Sequence, residues 1–283
     1  MRRKLAIWLS WVNYSEYYSR NLADIIADRY ETTITYTPLD WDEFDVVMTY
    51  YAGPNRKPGC DPRKIVKLVH EPHEYQWTGD AGTIGTVSRY LFDKAGPRHR
   101  DRTVLLPHGV APADFHPQPW PEPGGKLRVG WAGQYLAKYK RFDQLKEEVA
   151  KVPNVEFYPQ CSHTGRGGVI QGLPTKEMPT YYRQIHVYAC ASAAEGFGLP
   201  ILEACACGRP VVSFEVGVVP DLRASGAEIL VVESWEEMRA VLGHLSLEEC
   251  MRIGACNAEA VHRHWLWERL RERWLEALDG AGA

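Results

Sequence analysis

The chain has 283 residues, 45% of them hydrophobic and 24% charged, a globular composition long enough for two modest domains. Its formal net charge of −3 carries no basic footprint for nucleic acid, and short basic clusters such as Arg2-Arg3-Lys4 and Arg98 to Arg102 read as solvated surface. No apolar run reaches the roughly 18 residues a membrane span needs, and seven cysteines without a C-x-x-C pair argue against a disulfide framework or a zinc site.

The start, Met1 to Trp11, has a basic beginning and a short apolar stretch. It lacks the longer apolar core and small-residue cleavage site of a signal peptide. It reads as a buried first strand, and the expected location is the cytoplasm. Lys4–Leu9 is the predicted strand, and Ser19–Tyr30 follows as a helix with Leu22, Ile25 and Ile26 on one face. Short strands are predicted at Thr32–Tyr36, Asp45–Thr49, Ile65–His70, Thr83–Val87 and Thr103–Leu106. Asp40-Trp41-Asp42 has the form of a metal-binding D-x-D, yet it lies far in sequence from the phosphate-binding candidates below and reads as a surface turn. Cys161 with His163 is half a metal site without a second half, so no metal is expected.

His116 to Gly125 reads HPQPWPEPGG, a linker signal, because proline denies backbone hydrogen bonds and glycine adds freedom. A second series begins at Leu127–Ala132. It continues through helix Phe142–Lys151, strand Val155–Tyr158, strand His186–Ser192, helix Pro200–Cys207 and strand Pro210–Phe214. Alternation of this kind predicts an α/β fold of two domains: 1–117, a linker 118–126, then 127–264. Two such domains leave a cleft between them, and parallel sheets bind ligands beyond the carboxyl ends of their strands. An amphipathic helix, 265–283, is expected to pack back across the domains.

The most informative stretch is Ser192 to Pro210, SAAEGFGLPILEACACGRP. Gly196 and Gly198 put bare amides between the end of a strand and the start of a helix. That is an anion site suited to a phosphate or diphosphate. Glu195 and Glu203 flank it. A carboxylate beside a phosphate is electrostatically costly and needs another task. Accepting hydrogen bonds from sugar hydroxyls is one; capping a helix is the plain alternative.

Glu195 and Glu203, seven residues between them and enclosing GFGLP, resemble the signature of retaining glycosyltransferase family 4, glycosyl transferases group 1. Leu106 to Val110 with Phe115-His116-Pro117, Val129 to Gly133 with Lys140 to Asp143, and Pro210 to Val212 with Pro220-Asp221 extend the resemblance over most of Leu106 to Leu278. The resemblance implies a GT-B fold, two Rossmann-like domains facing a cleft. It implies sugar transfer from a nucleoside diphosphate donor to an acceptor hydroxyl with retention of configuration, and no cofactor. On this basis Glu195 faces the donor sugar; Gly196, Phe197 and Gly198 give it backbone contacts; Leu199 offers its amide to the diphosphate; Glu203 holds the ribose. Lys140 neutralises the leaving diphosphate, and His70, after the strand Ile65–Val69, is the histidine near the reaction centre. Three departures stand out: no glycine in Ser10 to Tyr14, Gln134 where the family carries an arginine, and Gly217-Val218-Val219-Pro220-Asp221 in place of G-G-x-P-E. The tyrosines of Trp11 to Arg20 form either a stacking wall or core. The acceptor, whether glycan, small molecule or lipid-linked sugar, is not named by the sequence, and nucleic acid fits least. The rival readings are a sugar-nucleotide epimerase of the same fold and a non-catalytic nucleotide-sugar binding module.

Overall fold

The structure, a computed structural model, describes residues 1–9, 14–37, 40–50, 60–122, 124–164 and 170–282. The glycine-free loop Ser10 to Asn13 therefore lies outside the described residues. The chain forms two compact units, Met1–Gly109 with Trp267–Ala283, and Val110–Leu266.

The first unit opens with β1 (Arg3–Trp8), α1 (Tyr14–Ile25), β2 (Tyr30–Thr35), β3 (Val46–Tyr50) and β4 (Ile65–Val69). It continues with β5 (Thr83–Thr86), α2 (Arg89–Asp93), α3 (Pro97–Arg100) and β6 (Thr103–Leu105). The strands form a parallel sheet in the order β2-β1-β3-β4-β5-β6. Every residue of β3 and β4 is buried, as a parallel sheet covered on both faces requires.

The first helix starts five residues before its predicted beginning and ends at Ile25. The buried stripe of Leu22 and Ile26 runs back through Tyr18 and Ser15, so the helix extends toward its N-terminus. Tyr17 and Tyr18 are core residues, not a surface wall. At the other end Tyr30 leaves the helix to pair with Arg3 in the sheet, and its hydroxyl donates to Asp279 at 2.7 Å. Tertiary contact overrides local helix preference there.

The second unit contains β7 (Leu127–Gln134), α4 (Phe142–Ala150), β8 (Val155–Thr164), β9 (Ile170–Gln171), α5 (Met178–Tyr182) and β10 (Val187–Cys190). Next come α6 (Leu199–Ala206), β11 (Val211–Ser213), α7 (Val219–Ala224), β12 (Ile229–Val231), α8 (Trp235–His244) and α9 (Leu247–His264). The sheet order is β12-β11-β10-β7-β8-β9, parallel except for the β8–β9 pair. Its core gathers Val129, Trp131, Leu145, Val187, Ala189, Val212 and Met238. β8 runs through Pro159, beyond its predicted end. β9 pairs only with His163 and Thr164, so at Pro159 the strand is an edge, where a missing N–H is tolerated.

The last helix, α10 (Trp267–Gly280), belongs with the first unit. Trp274 is fully buried there and its Nε1–H donates to the Pro107 carbonyl at 3.1 Å. Arg271 reaches Asp28 and the Ile25 carbonyl.

The division between the units falls after Gly109, not in the proline-rich 118–126 segment. That segment and its approach pack on the second unit. Val110 and Phe115 are fully buried. Gln118 N donates to the Cys207 carbonyl, and the buried Arg209 guanidinium donates to the carbonyls of Gln118, Pro119 and Tyr182 while stacking on Trp120 at 4.3 Å. Prolines that look like a free linker are thus pinned by one arginine. Burial lowers the Arg209 pKa to about 10, which leaves it charged at neutral pH. Arg209→Met should orphan the Gln118 and Pro119 carbonyls and destabilise the second unit by about 2–4 kcal/mol. Urea unfolding measures this, and a change within about 0.5 kcal/mol, as for an ordinary surface substitution, contradicts it.

Candidate active site

In the second unit the chain lays β7, β8 and β9 to one side and β10, β11 and β12 to the other. The loops after β7 and β10 therefore emerge side by side at the carboxyl edge, where the strand order reverses. Such switch points are where open α/β sheets bind ligands. Lys140 follows β7 and Glu195 follows β10.

The two loops are joined by backbone: Ala193 N donates to the Tyr139 carbonyl at 2.8 Å. The Lys140 ammonium donates to Glu195 Oε1 at 2.5 Å, and the Ser192 hydroxyl donates to the same oxygen at 2.6 Å. Burial pushes the lysine toward its neutral form, but the Glu195 charge and hydrogen bond outweigh this and hold its pKa above the ordinary value. The next residue, Arg141, takes a left-handed conformation (φ 51°) at the N-cap position of α4. Among the described residues Arg141 is the only non-glycine with positive φ. Its guanidinium lies over Phe214 at 5.4 Å.

Gly198 is the N-cap of α6, with φ 93° and no side chain to close the helix end. Pro200 has no N–H, and Ile201 N is used by the Gly198 carbonyl. Leu199, the first residue of α6, has an amide that helix geometry leaves without an intrahelical acceptor. Phe197 is buried, 6.2 Å from the Trp265 ring, and its carbonyl accepts from Val218 N at 2.7 Å. Gly217 makes this approach possible: a Cβ there would lie 2.2 Å from the Phe197 oxygen. So the G-V-V-P-D departure keeps the glycine that its packing needs. Gly196 lies between Glu195 and Phe197 in this loop.

Glu203 stands one turn into α6 and is 4% exposed. Tyr182, on α5, donates its hydroxyl to Glu203 Oε2 at 2.7 Å. Burial, with the Glu203 charge adding, raises the Tyr182 pKa well above its ordinary value, so it remains a donor. Gln134 ends β7, and its carbonyl accepts from Ala137 N in the turn leading to Lys140. The structure therefore assembles Glu195, Lys140, Gln134, Gly196, Phe197, Gly198, Leu199 and Glu203 within one unit. Ser192 and Tyr182 join this group through their hydrogen bonds to Glu195 and Glu203. Ser192 had a faint signal, a small polar residue closing an apolar strand; Tyr182 had none, since 21 residues separate it from Glu203.

His70 belongs to the first unit, at the carboxyl end of β4. It is buried, stacked between Tyr50 at 5.1 Å and His108 at 5.5 Å. Its backbone N donates to Glu74 Oε2 at 2.6 Å. Asp40 accepts from Asp42 N and caps a short turn around buried Trp41, the surface turn that was expected. No group of three potential metal ligands occurs among the described residues.

Each unit is thus built on a mainly parallel α/β sheet, with the Lys140–Glu195 pair at the switch point of the second. Residues 126–246, within the second unit, match the family model for glycosyl transferases group 1. A D-inositol 3-phosphate glycosyltransferase of Corynebacterium urealyticum is 28% identical over 153 residues, 52% of this chain and 32% of that protein. The chain thus spans a third or less of the length of the curated relatives it matches. Two solved structures share the fold. Anabaena HepE in complex with UDP-glucose has a TM-score of 0.72 at 12% identity, covering 98% of this chain and 100% of that one. Sucrose-phosphate synthase of Thermosynechococcus elongatus has a TM-score of 0.72 at 13% identity, covering 97% and 98%.

The stacked histidines give a pH prediction. Burial pushes His108 down to about 3 and His70 well below its ordinary value, with His108 and Lys67 adding to the latter. Unfolded, both titrate near 6.5. Between these values the unfolded chain binds protons that the folded one refuses. Stability is then full above pH 6.5 and falls as pH drops toward 3, by about 1.4 kcal/mol per pH unit for each histidine. Urea unfolding between pH 4.5 and 6 should give a shallower pH slope for His108→Asn than for the native chain. Equal slopes would show that burial does not hold this ring neutral.

Proposed function

We propose that this protein transfers a sugar from a nucleoside diphosphate donor to an acceptor hydroxyl, with retention of configuration. The observation that carries this reading is the Lys140–Glu195 pair beside the open N-terminus of α6, at the switch point of the second sheet. A cation and a helix terminus suit a diphosphate; a carboxylate held by that cation suits the hydroxyls of the attached sugar. As the glycosidic bond breaks, negative charge grows on the diphosphate. Lys140 and the Leu199 amide stabilise that charge in place before it forms. Gln134 adds a neutral donor in this reading. Glu203, held through one oxygen by Tyr182, takes the ribose hydroxyls; Gly196, Phe197 and Gly198 support the sugar side.

The relatives' names support the class of reaction, and UDP-glucose, present with Anabaena HepE, is the first donor to try. No described helix is long and apolar enough to cross a membrane, and all seven cysteines are free, which fits a reducing cytoplasm. The acceptor is a glycan, a small molecule or a lipid-linked sugar.

A panel of nucleotide sugars tested for thermal stabilisation identifies the donor, because binding raises apparent stability by mass action. With that donor, Lys140→Ala should lower kcat/KM about 10²-fold, equivalent to about 3 kcal/mol of transition-state stabilisation. Glu203→Ala should chiefly raise the donor KM, and Glu195→Ala should abolish transfer. Near-native activity in Lys140→Ala, with loss in Lys138→Ala instead, would assign the cation elsewhere. Donor consumption with no acceptor-linked product would point to an epimerase.

We also expect no divalent metal and no cofactor to be required, since a lysine and helix amides supply the positive charge at the diphosphate. Transfer should survive a chelator; complete loss, restored by magnesium, contradicts this.

A further inference from the structure

Ser192 is 1% exposed and follows the end of β10 by two residues. Its hydroxyl and the Lys140 ammonium meet on one oxygen of Glu195, Oε1; Oε2 takes no part in that pairing. Ser192 reaches Glu195 across three residues of its own loop, whereas Lys140 comes from the loop after β7. The two donors differ in kind. A lysine has a long flexible stem and a charge that a diphosphate attracts. A buried serine has one side-chain torsion beyond Cα and stays where its backbone puts it.

We infer that Ser192 is the positioning residue for Glu195: its hydroxyl fixes Oε1 and so presents Oε2 to the sugar. This rests on the proposed transfer reaction. When the lysine turns toward a donor diphosphate, Glu195 loses its stronger hydrogen bond, and a carboxylate with three rotatable bonds would swing. The serine hydroxyl keeps it aimed. Orientation of this kind acts on the barrier more than on donor binding, since an ill-aimed acceptor costs most in the transition state.

The test compares Ser192→Thr with Ser192→Val. The two side chains are nearly equal in size, so any packing strain is shared, and only threonine keeps the hydroxyl. Steady-state kinetics are measured with the donor found by thermal stabilisation, and unfolding midpoints are measured for all forms. The threonine variant should stay within about threefold of the native kcat. The valine variant should lose tenfold or more in kcat, with a donor KM changed by less than about threefold, the scale of one hydrogen bond to a charged group. Equal kcat in the two variants overturns the inference, as does a valine effect confined to KM. If both variants unfold, Ser192→Ala decides: native kcat overturns the inference, and a loss in kcat with a native KM supports it. A native protein that transfers no sugar from any donor refutes the proposed reaction itself, a result separate from any difference among Ser192 variants.

Discussion

A buried ion pair constrains everything else in the second unit. Lys140 and Glu195 lie on different loops, and each has only a small part of its side chain exposed. Either charge alone would be costly away from water, because desolvation is repaid only by a close, well-aimed partner. The fold therefore has to bring the loops after β7 and β10 to hydrogen-bonding distance. The Ala193–Tyr139 backbone bond, the left-handed Arg141 and the stacking of Arg141 on Phe214 all serve that approach. The strand order makes it possible, since β7 and β10 are neighbours although more than fifty residues separate their loops.

Much of this was legible in the sequence. The two α/β series, the strands β3, β4, β5 and β10, and the glycine loop leading into α6 follow from local patterns that the structure repeats within a few residues. Glu195 to Glu203 lie together because GFGLP and its flanking glutamates form one continuous strand–loop–helix, where spacing alone fixes geometry; Lys140 and Gln134 join them through the strand order. What could not be read depends on partners distant in the chain. Tyr30 leaves its helix for a strand because Arg3 and Asp279 receive it. Tyr17 and Tyr18 precede the helix start read at Ser19, so the stripe of Leu22 and Ile26 was not carried back to them. Tyr182 could not be linked to Glu203 by any spacing rule.

The unit boundary shows the same limit from the other direction. Proline and glycine between His116 and Gly125 correctly signal the absence of helix and strand among the described residues there, but say nothing of attachment. The carbonyls of Gln118 and Pro119 are collected by Arg209 of the same unit, and Trp120 covers the guanidinium. A segment without secondary structure can be as fixed as a strand when a buried donor meets its backbone. The last helix belongs to the first unit for a comparable reason: Trp274, Arg271 and Asp279 all find partners there.

The contact between Gly217 and the Phe197 carbonyl leaves no room for a side chain. Through it the loop after β11 abuts the loop after β10, which is already tied to the loop after β7. Three successive strand ends thus share one set of backbone contacts. The disorder that each loop would otherwise possess is removed when the sheet forms, so it need not be removed again when a ligand arrives. The free energy of arranging the site is part of the free energy of folding the second unit. Damage to that unit's core would then take the site away as a whole, in proportion to the population unfolded, rather than loosening one side chain at a time.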